Sequence, residues 1–121
     1  MSFALTTEQV RRQLKTVTRR TGWLFLKAGD RLQPVVKAQG LKKGERVELI
    51  GGPIEVVRVH RERLSRLTDD TQYGSREVAR EGLEEITPTP EQFVAFFCRT
   101  HGCTSRDLVT RIEFRYTGAR T

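Results

Sequence analysis

The stretch Leu14 to Arg20, LKTVTRR, gathers a lysine, two threonines and two arginines directly after what reads as a short amphipathic helix. A lysine held near a hydroxyl and shielded from water has its pKa lowered enough to take a proton, and the hydroxyl then becomes a nucleophile. In a helix or a turn, Lys15 and Thr18 fall on one face and can meet. In an extended chain, Lys15 and Val17 point one way while Thr16 and Thr18 point the other. Such a pair also needs an acid or an oxyanion donor. The same residues have two other readings: a solvated basic turn in which the threonines end a helix, or a grip on phosphate.

The elements that must position this motif are legible to different degrees. TTEQVRRQL opens with Thr6 as cap and Gln9 in the capping-box position, and Val10 and Leu14 share a face, which predicts a short helix delivering KTVTRR. Residues 23–37 predict an apolar strand broken by AGD and then resumed. GERVELI and IEVVRVHRERL predict strands around the turn at Gly51, Gly52 and Pro53. RLSRLTDDTQYGSREVAREGLEE reads as a partly exposed connection with helical turns around SREVAREG, which leaves Tyr73 in a polar loop.

TPTPEQFVAFFCRTHG is the clearest helix, with Thr89 as cap, Pro90 first, Gln92 completing a capping box, Gly102 at the stop, and Phe93, Phe96 and Phe97 on its core face. TRIEFRY alternates as a half-buried strand does. The sum is a single α+β domain over 1–121: a small curved sheet or barrel of about five or six strands with two or three helices around it, and residues 117–121 as a frayed tail.

With 36% hydrophobic and 31% charged residues, the chain suits a globule and has no apolar run to span a membrane. Its opening residues lack a basic flank followed by an apolar core, so the cytoplasm is the expected location. The net charge is +7. Residues 1–37 hold eight Lys/Arg against two acids, whereas 38–121 hold fourteen against thirteen. A basic excess on one segment attracts polyanions or phosphate-bearing ligands, although charge alone fits a surface kept soluble equally well.

Cys98, His101 and Cys103, with His60 as a fourth, are candidate zinc ligands. They lack the second close-spaced pair of structural zinc sites, so no metal is expected, and no cofactor is either. The thiols are expected to be reduced. Trp23 and Tyr73 are candidates to stack on a base, with core packing the competing role for Trp23. Asp30, after a glycine, is expected to fix a turn.

The order KTVTRR, LKAGDRL, VVRVHRERLSRLT, EVAREGL, EQFVAFF and VTRIEFRY resembles the ASCH family over nearly the whole chain. Lys15-Thr16-x-Thr18-x-Arg20 and Gly29-Asp30 are the most specific parts. The resemblance implies a PUA-like barrel, a cleft lined by the lysine, threonine and arginine of the first motif, with Thr16, Arg19 and Arg20 as binding residues, and RNA or a modified nucleoside as ligand; the aromatic-rich helix and the basic charge, which depart from the compact hydrolytic members, fit RNA or DNA. Some small bacterial members are amidohydrolases of N4-acetylcytidine. By motif position Lys15 matches their base, Thr18 their attacking hydroxyl and Glu81 their glutamate, with Glu77, Glu84 and Glu85 close enough to compete for that last role. Arg20 matches the more regular position for holding an oxyanion, phosphate or ribose. A non-catalytic nucleic-acid-binding or coactivator-like module and a ribonuclease are the alternatives that the resemblance also implies.

Overall fold

IEVVRVHRER and LVTRIEFRY, rich in β-branched and aromatic residues, pair along their whole length as the long strands β3 (Ile54–Arg63) and β4 (Leu108–Tyr116). The computed structural model describes residues 1–37 and 41–118. The short strands β1 (Val17–Arg20) and β2 (Arg31–Leu32) extend an antiparallel sheet in the order β1-β4-β3-β2. Around it lie α1 (Thr7–Arg11), α2 (Arg66–Asp69), α3 (Thr71–Arg80) and α4 (Pro90–His101).

The class is therefore α+β with a small, curled sheet. Among the described residues the sheet has four strands where five or six were expected. GERVELI contributes only the bridge from Leu49 to Val35, which Ser2 also bridges. WLFL is a turn, because Trp23 takes a φ of +62°, outside the region that strands occupy. Of the tail expected over 117–121, Thr117 donates a hydrogen bond to the Pro53 carbonyl at 3.0 Å, and 119–121 lie outside the described residues.

One irregularity decides which side chains face which layer. The register of β3 against β4 shifts between Val56 and Arg58, a bulge that adds Val57 and reverses the alternation beyond it. Before the bulge, Ile54 and Val56 pack with Ile112 and Phe114 on one face. Beyond it, His60 and Glu62 stand opposite Arg111 and Val109 on the other face. There α2, α3 and α4 bury Leu64, Leu67, Val78, Phe93, Phe97 and Val109. The bulge thus turns the polar half of β3 toward the helices.

The helix termini obey local rules. In α4, Thr89 and Gln92 form both bonds of a capping box, and Gly102 closes the helix in the left-handed region at φ +65°. Asp70 caps α3 by accepting from the Tyr73 N–H. Gly74 lets α3 lie against α2, since a Cβ there would meet the Leu67 carbonyl oxygen at 2.0 Å.

Candidate active site

β1 is one of the two edge strands of the sheet, and its alternate side chains fall on opposite faces. Toward the helices, Arg19 stands beside Arg111 in the register. Both meet a row of groups from α3, where Tyr73, Glu77 and Glu81 recur at the spacing of one helix face. Arg19 donates to Glu77 at 2.6 Å, Glu62 at 2.8 Å, Glu81 at 3.1 Å and Tyr73 at 3.3 Å. Arg111 binds both oxygens of Glu77, at 2.6 and 3.1 Å. Tyr73 donates to Glu62 at 2.7 Å.

Lys15 completes this array. Its Nζ donates to the Glu81 carboxylate at 2.7 Å and to the Glu81 carbonyl at 2.9 Å. Three cations and three carboxylates are thus buried together, each charge facing an opposite one. Gly82, at φ +78°, permits the close approach: a Cβ there would lie 2.9 Å from the Gln9 side chain and 3.4 Å from Lys15 Cβ.

The titrations follow from these contacts. Burial pushes the Lys15 ammonium below its ordinary value, against the pull of Glu81. Burial alone would raise Glu77, but the hydrogen bonds and charges of Arg111 and Arg19 outweigh it and hold that carboxyl at about 2. Glu62 is lowered too, its burial overcome by Arg19, His60 and Tyr73. Burial and the bond to Glu62 push the Tyr73 phenol up to about 12.

Around the edge of β1, toward the N-terminal segment, a cavity of about 220 Å³ opens. Lys15, Thr18, Arg19, Arg20 and Glu81 supply its polar lining, and Phe3, Phe93, Phe96, Phe97 and His101 much of its apolar wall. Arg20 donates from Nε to the Thr18 hydroxyl at 3.1 Å, and its guanidinium lies 4.9 Å over the Phe3 ring. Its terminal nitrogens have no hydrogen-bond partner among the described residues. Arg19 Nε is likewise buried with no partner there. The Arg20 nitrogens left this way border the cavity, whereas Arg19 Nε is closed off inside the ion array.

The sequence candidates therefore divide. Lys15, Thr18, Glu81, Arg19 and Arg20 converge on one cavity. Lys15 and Thr18 line it without a hydrogen bond between them. Among the competing glutamates, Glu77 is buried behind the cavity in the ion array, and Glu84 and Glu85 are exposed. Thr16 is a backbone anchor, donating its N–H to Arg80 and accepting from Phe114. Tyr73 lies within α3, away from the cavity, with Arg66 stacked 4.0 Å over its ring. Trp23 sits in a neighbouring hollow beside Phe25.

Glu62, Arg111, Phe3 and His101 were not read from the sequence as parts of this site. The signal for Glu62 was its alternation with His60 in β3; the signal for Glu77 was its four-residue step from Tyr73 and from Glu81. The zinc candidates do not gather. Cys98 and Cys103 are 3.8 Å apart, His101 packs on Phe97 at 4.2 Å, and His60 bonds Glu62. Among the described residues no group of three or more His, Cys, Asp or Glu is placed to hold a metal. No described helix is long and apolar enough to cross a membrane.

No family model and no curated protein matches the chain. Its backbone is similar to the crystal structure of protein EF3133 from Enterococcus faecalis V583, of the family DUF984. The match has a TM-score of 0.54 and 15% identity, and covers 97% of this chain and 75% of the other. At that identity the likeness shows a shared fold.

Proposed function

We propose that the chain is an ASCH-like domain of PUA-like fold whose cavity takes a modified nucleobase and hydrolyses its N4-acyl amide, as in N4-acetylcytidine. The observation that carries this reading is the burial of Lys15 against Glu81 in the same apolar-walled cavity as the Thr18 hydroxyl. The volume falls below the roughly 300–1,000 Å³ of sites for drug-sized ligands, which suits one planar base.

In this reaction Lys15, in its neutral form, takes the Thr18 proton. Thr18 Oγ attacks the acyl carbon, and the carbonyl oxygen becomes an oxyanion facing the free guanidinium nitrogens of Arg20. Collapse breaks the C–N4 bond, and the proton on Lys15 passes to the departing amine. Water then attacks the threonyl ester, returning the hydroxyl and releasing the carboxylic acid. Glu81 holds Lys15 in place and stabilises its charged form.

A second reading, a base-binding module without turnover, is favoured by one observation: Lys15 commits two donors to Glu81 and none to Thr18.

Release of cytidine from N4-acetylcytidine separates the two. The hydrolytic reading expects turnover that falls by about 10²–10⁴ in both Lys15→Ala and Thr18→Ala, with folding checked by circular dichroism. It also expects turnover to rise with pH through the lowered Lys15 pKa, because only the neutral amine accepts a proton. Wild-type protein that binds the nucleoside without turnover would leave the binding module.

A further inference from the structure

The end of α4 and the turn after it read CRTHGC, Cys98 to Cys103. Gly102 takes the left-handed conformation, and the N–H groups of Gly102 and Cys103 both turn back to the Cys98 carbonyl, at 2.8 and 3.2 Å. A helix stop of this kind brings the side chains at its two ends into contact. Here both are cysteines. Their sulfurs lie 3.8 Å apart, and both thiols are free.

The two thiols differ in their surroundings. Both touch the apolar core beneath α4, but Cys103 also borders an open hollow with Arg61, Arg63, Arg106 and Asp107. Arg61 donates to Thr110 and the Leu108 carbonyl, and Arg63 to the Arg106 carbonyl. Among the described residues these arginines form no ion pair. Asp107, the carboxylate there, accepts from the Thr104 N–H. More cations than anions stand around Cys103, a field that draws an anionic reagent.

We propose that Cys98 and Cys103 form a thiol–disulfide exchange site whose reagent is an anionic small-molecule disulfide, and that bridging them shifts the cavity wall at His101. The Cys103 thiolate attacks one sulfur of the disulfide RS–SR, forming a mixed disulfide and expelling RS⁻, which takes up the proton that Cys103 lost. Cys98 then gives up its own proton, attacks Cys103 Sγ and expels the second RS⁻, which takes that proton. The two protein thiols are oxidised by two electrons and the reagent is reduced to two RSH.

The bridge encloses Arg99, Thr100, His101 and Gly102. His101 lines the cavity beside β1 and packs at 4.2 Å on Phe97, part of the same wall. Drawing the sulfurs from 3.8 Å to the roughly 2.0 Å of a bond tightens the turn that carries His101. Burial, then the Cys98 thiol and the Asp107 carboxylate, push the Cys103 thiol up to about 11. Only the thiolate attacks, so exchange is slow at neutral pH and quickens as the pH rises. Such a site answers a lasting oxidising shift and ignores a brief one.

The test is incubation of the full chain with glutathione disulfide at mildly alkaline pH, followed by tryptic digestion without reduction. Cleavage after Arg80, Arg99 and Arg106 leaves the cysteines on separate peptides, 81–99 and 100–106. The wild type is expected to yield these two peptides joined, from protein of monomer mass. The rate is expected to rise about tenfold per pH unit and to fall as salt is added, whereas the rate with neutral bis(2-hydroxyethyl) disulfide holds. Cys98→Ala is expected to stop at a glutathione adduct on Cys103. In the proton spectrum the His101 ring signal, identified by its loss in His101→Asn, is expected to move on bridging and to return with dithiothreitol.

Unjoined peptides after prolonged incubation of the wild type overturn the proposal. So do glutathione adducts on both cysteines without a bridge, a bridge that leaves the His101 signal in place, or equal salt dependence for the two reagents. None of these readouts uses nucleoside turnover, so the proposal is decided separately from the hydrolytic reading.

Discussion

Arg19 and Arg20 are neighbours in the chain and occupy opposite settings. Arg19 is buried among Glu62, Glu77 and Glu81, while Arg20 spends one donor on Thr18 and turns the rest of its guanidinium to the cavity and Phe3. The difference is the alternation of an edge strand: one side meets the carboxylates of α3, the other meets open space. It separates two uses of a cation. Behind β1, arginine is tied into the ion array; in front of it, arginine keeps donors with no partner among the described residues.

The sharpest way to break that contrast is Glu77→Gln, which leaves Arg19 and Arg111 buried with less counter-charge. It is expected to cost about 3–5 kcal/mol in urea unfolding; a loss under about 1 kcal/mol would mean the closed side does not hold the fold.

Arg20→Gln addresses the open side. The kcat for N4-acetylcytidine is expected to fall about ten- to a hundredfold with KM little changed, the worth of one charge-assisted hydrogen bond of about 1.5–3 kcal/mol made to the oxyanion, with little change in Tm. A fall in Tm comparable to that of Glu77→Gln would erase the distinction.

Acid provides a subtler probe. Glu77 is held at about 2 in the fold against an ordinary value of 4.5. Its folded pKa is the lower one, so its contribution is fully present above 4.5 and is lost as the pH falls toward about 2. Urea midpoints measured across that window should drop more steeply for the wild type than for Glu77→Gln; parallel curves would count against the assignment.

The smallest effect belongs to the open face. Arg63→Ala, at the rim, is expected to shift stability by no more than about 0.5 kcal/mol, as read by the same unfolding curves.

How far the sequence carried this picture depended on how local each feature is. The two capping-box patterns make the point. Thr89 and Gln92 form theirs at the head of a twelve-residue helix. Thr6 makes no side-chain cap, and its helix lasts five residues before the Gln9 carbonyl takes the Leu14 and Lys15 N–H groups. The alternation of TRIEFRY named its strand. WLFL has no alternation, and an apolar run without a period does not distinguish a strand from an exposed turn.

The same limit governs the site. Lys15, Thr18 and Glu81, singled out through the family resemblance, line one cavity. Glu62 and Arg111 were missed because an isolated charge reads as surface until a register puts its partner opposite. That register depends on the Val57 bulge, which no residue type announces.

The position of β4 has a consequence for how the molecule is made. It lies between β1 and β3, and among the described residues it is the strand that pairs with both. A ribosome delivers it after the other described elements. Until residues 108–116 emerge, β1 and β3 have no common partner and the ion array lacks Arg111. The array is therefore complete only once β4 has paired. It closes in one late step of long-range contacts, and a nascent chain stalled before that step displays its apolar surfaces to chaperones and proteases.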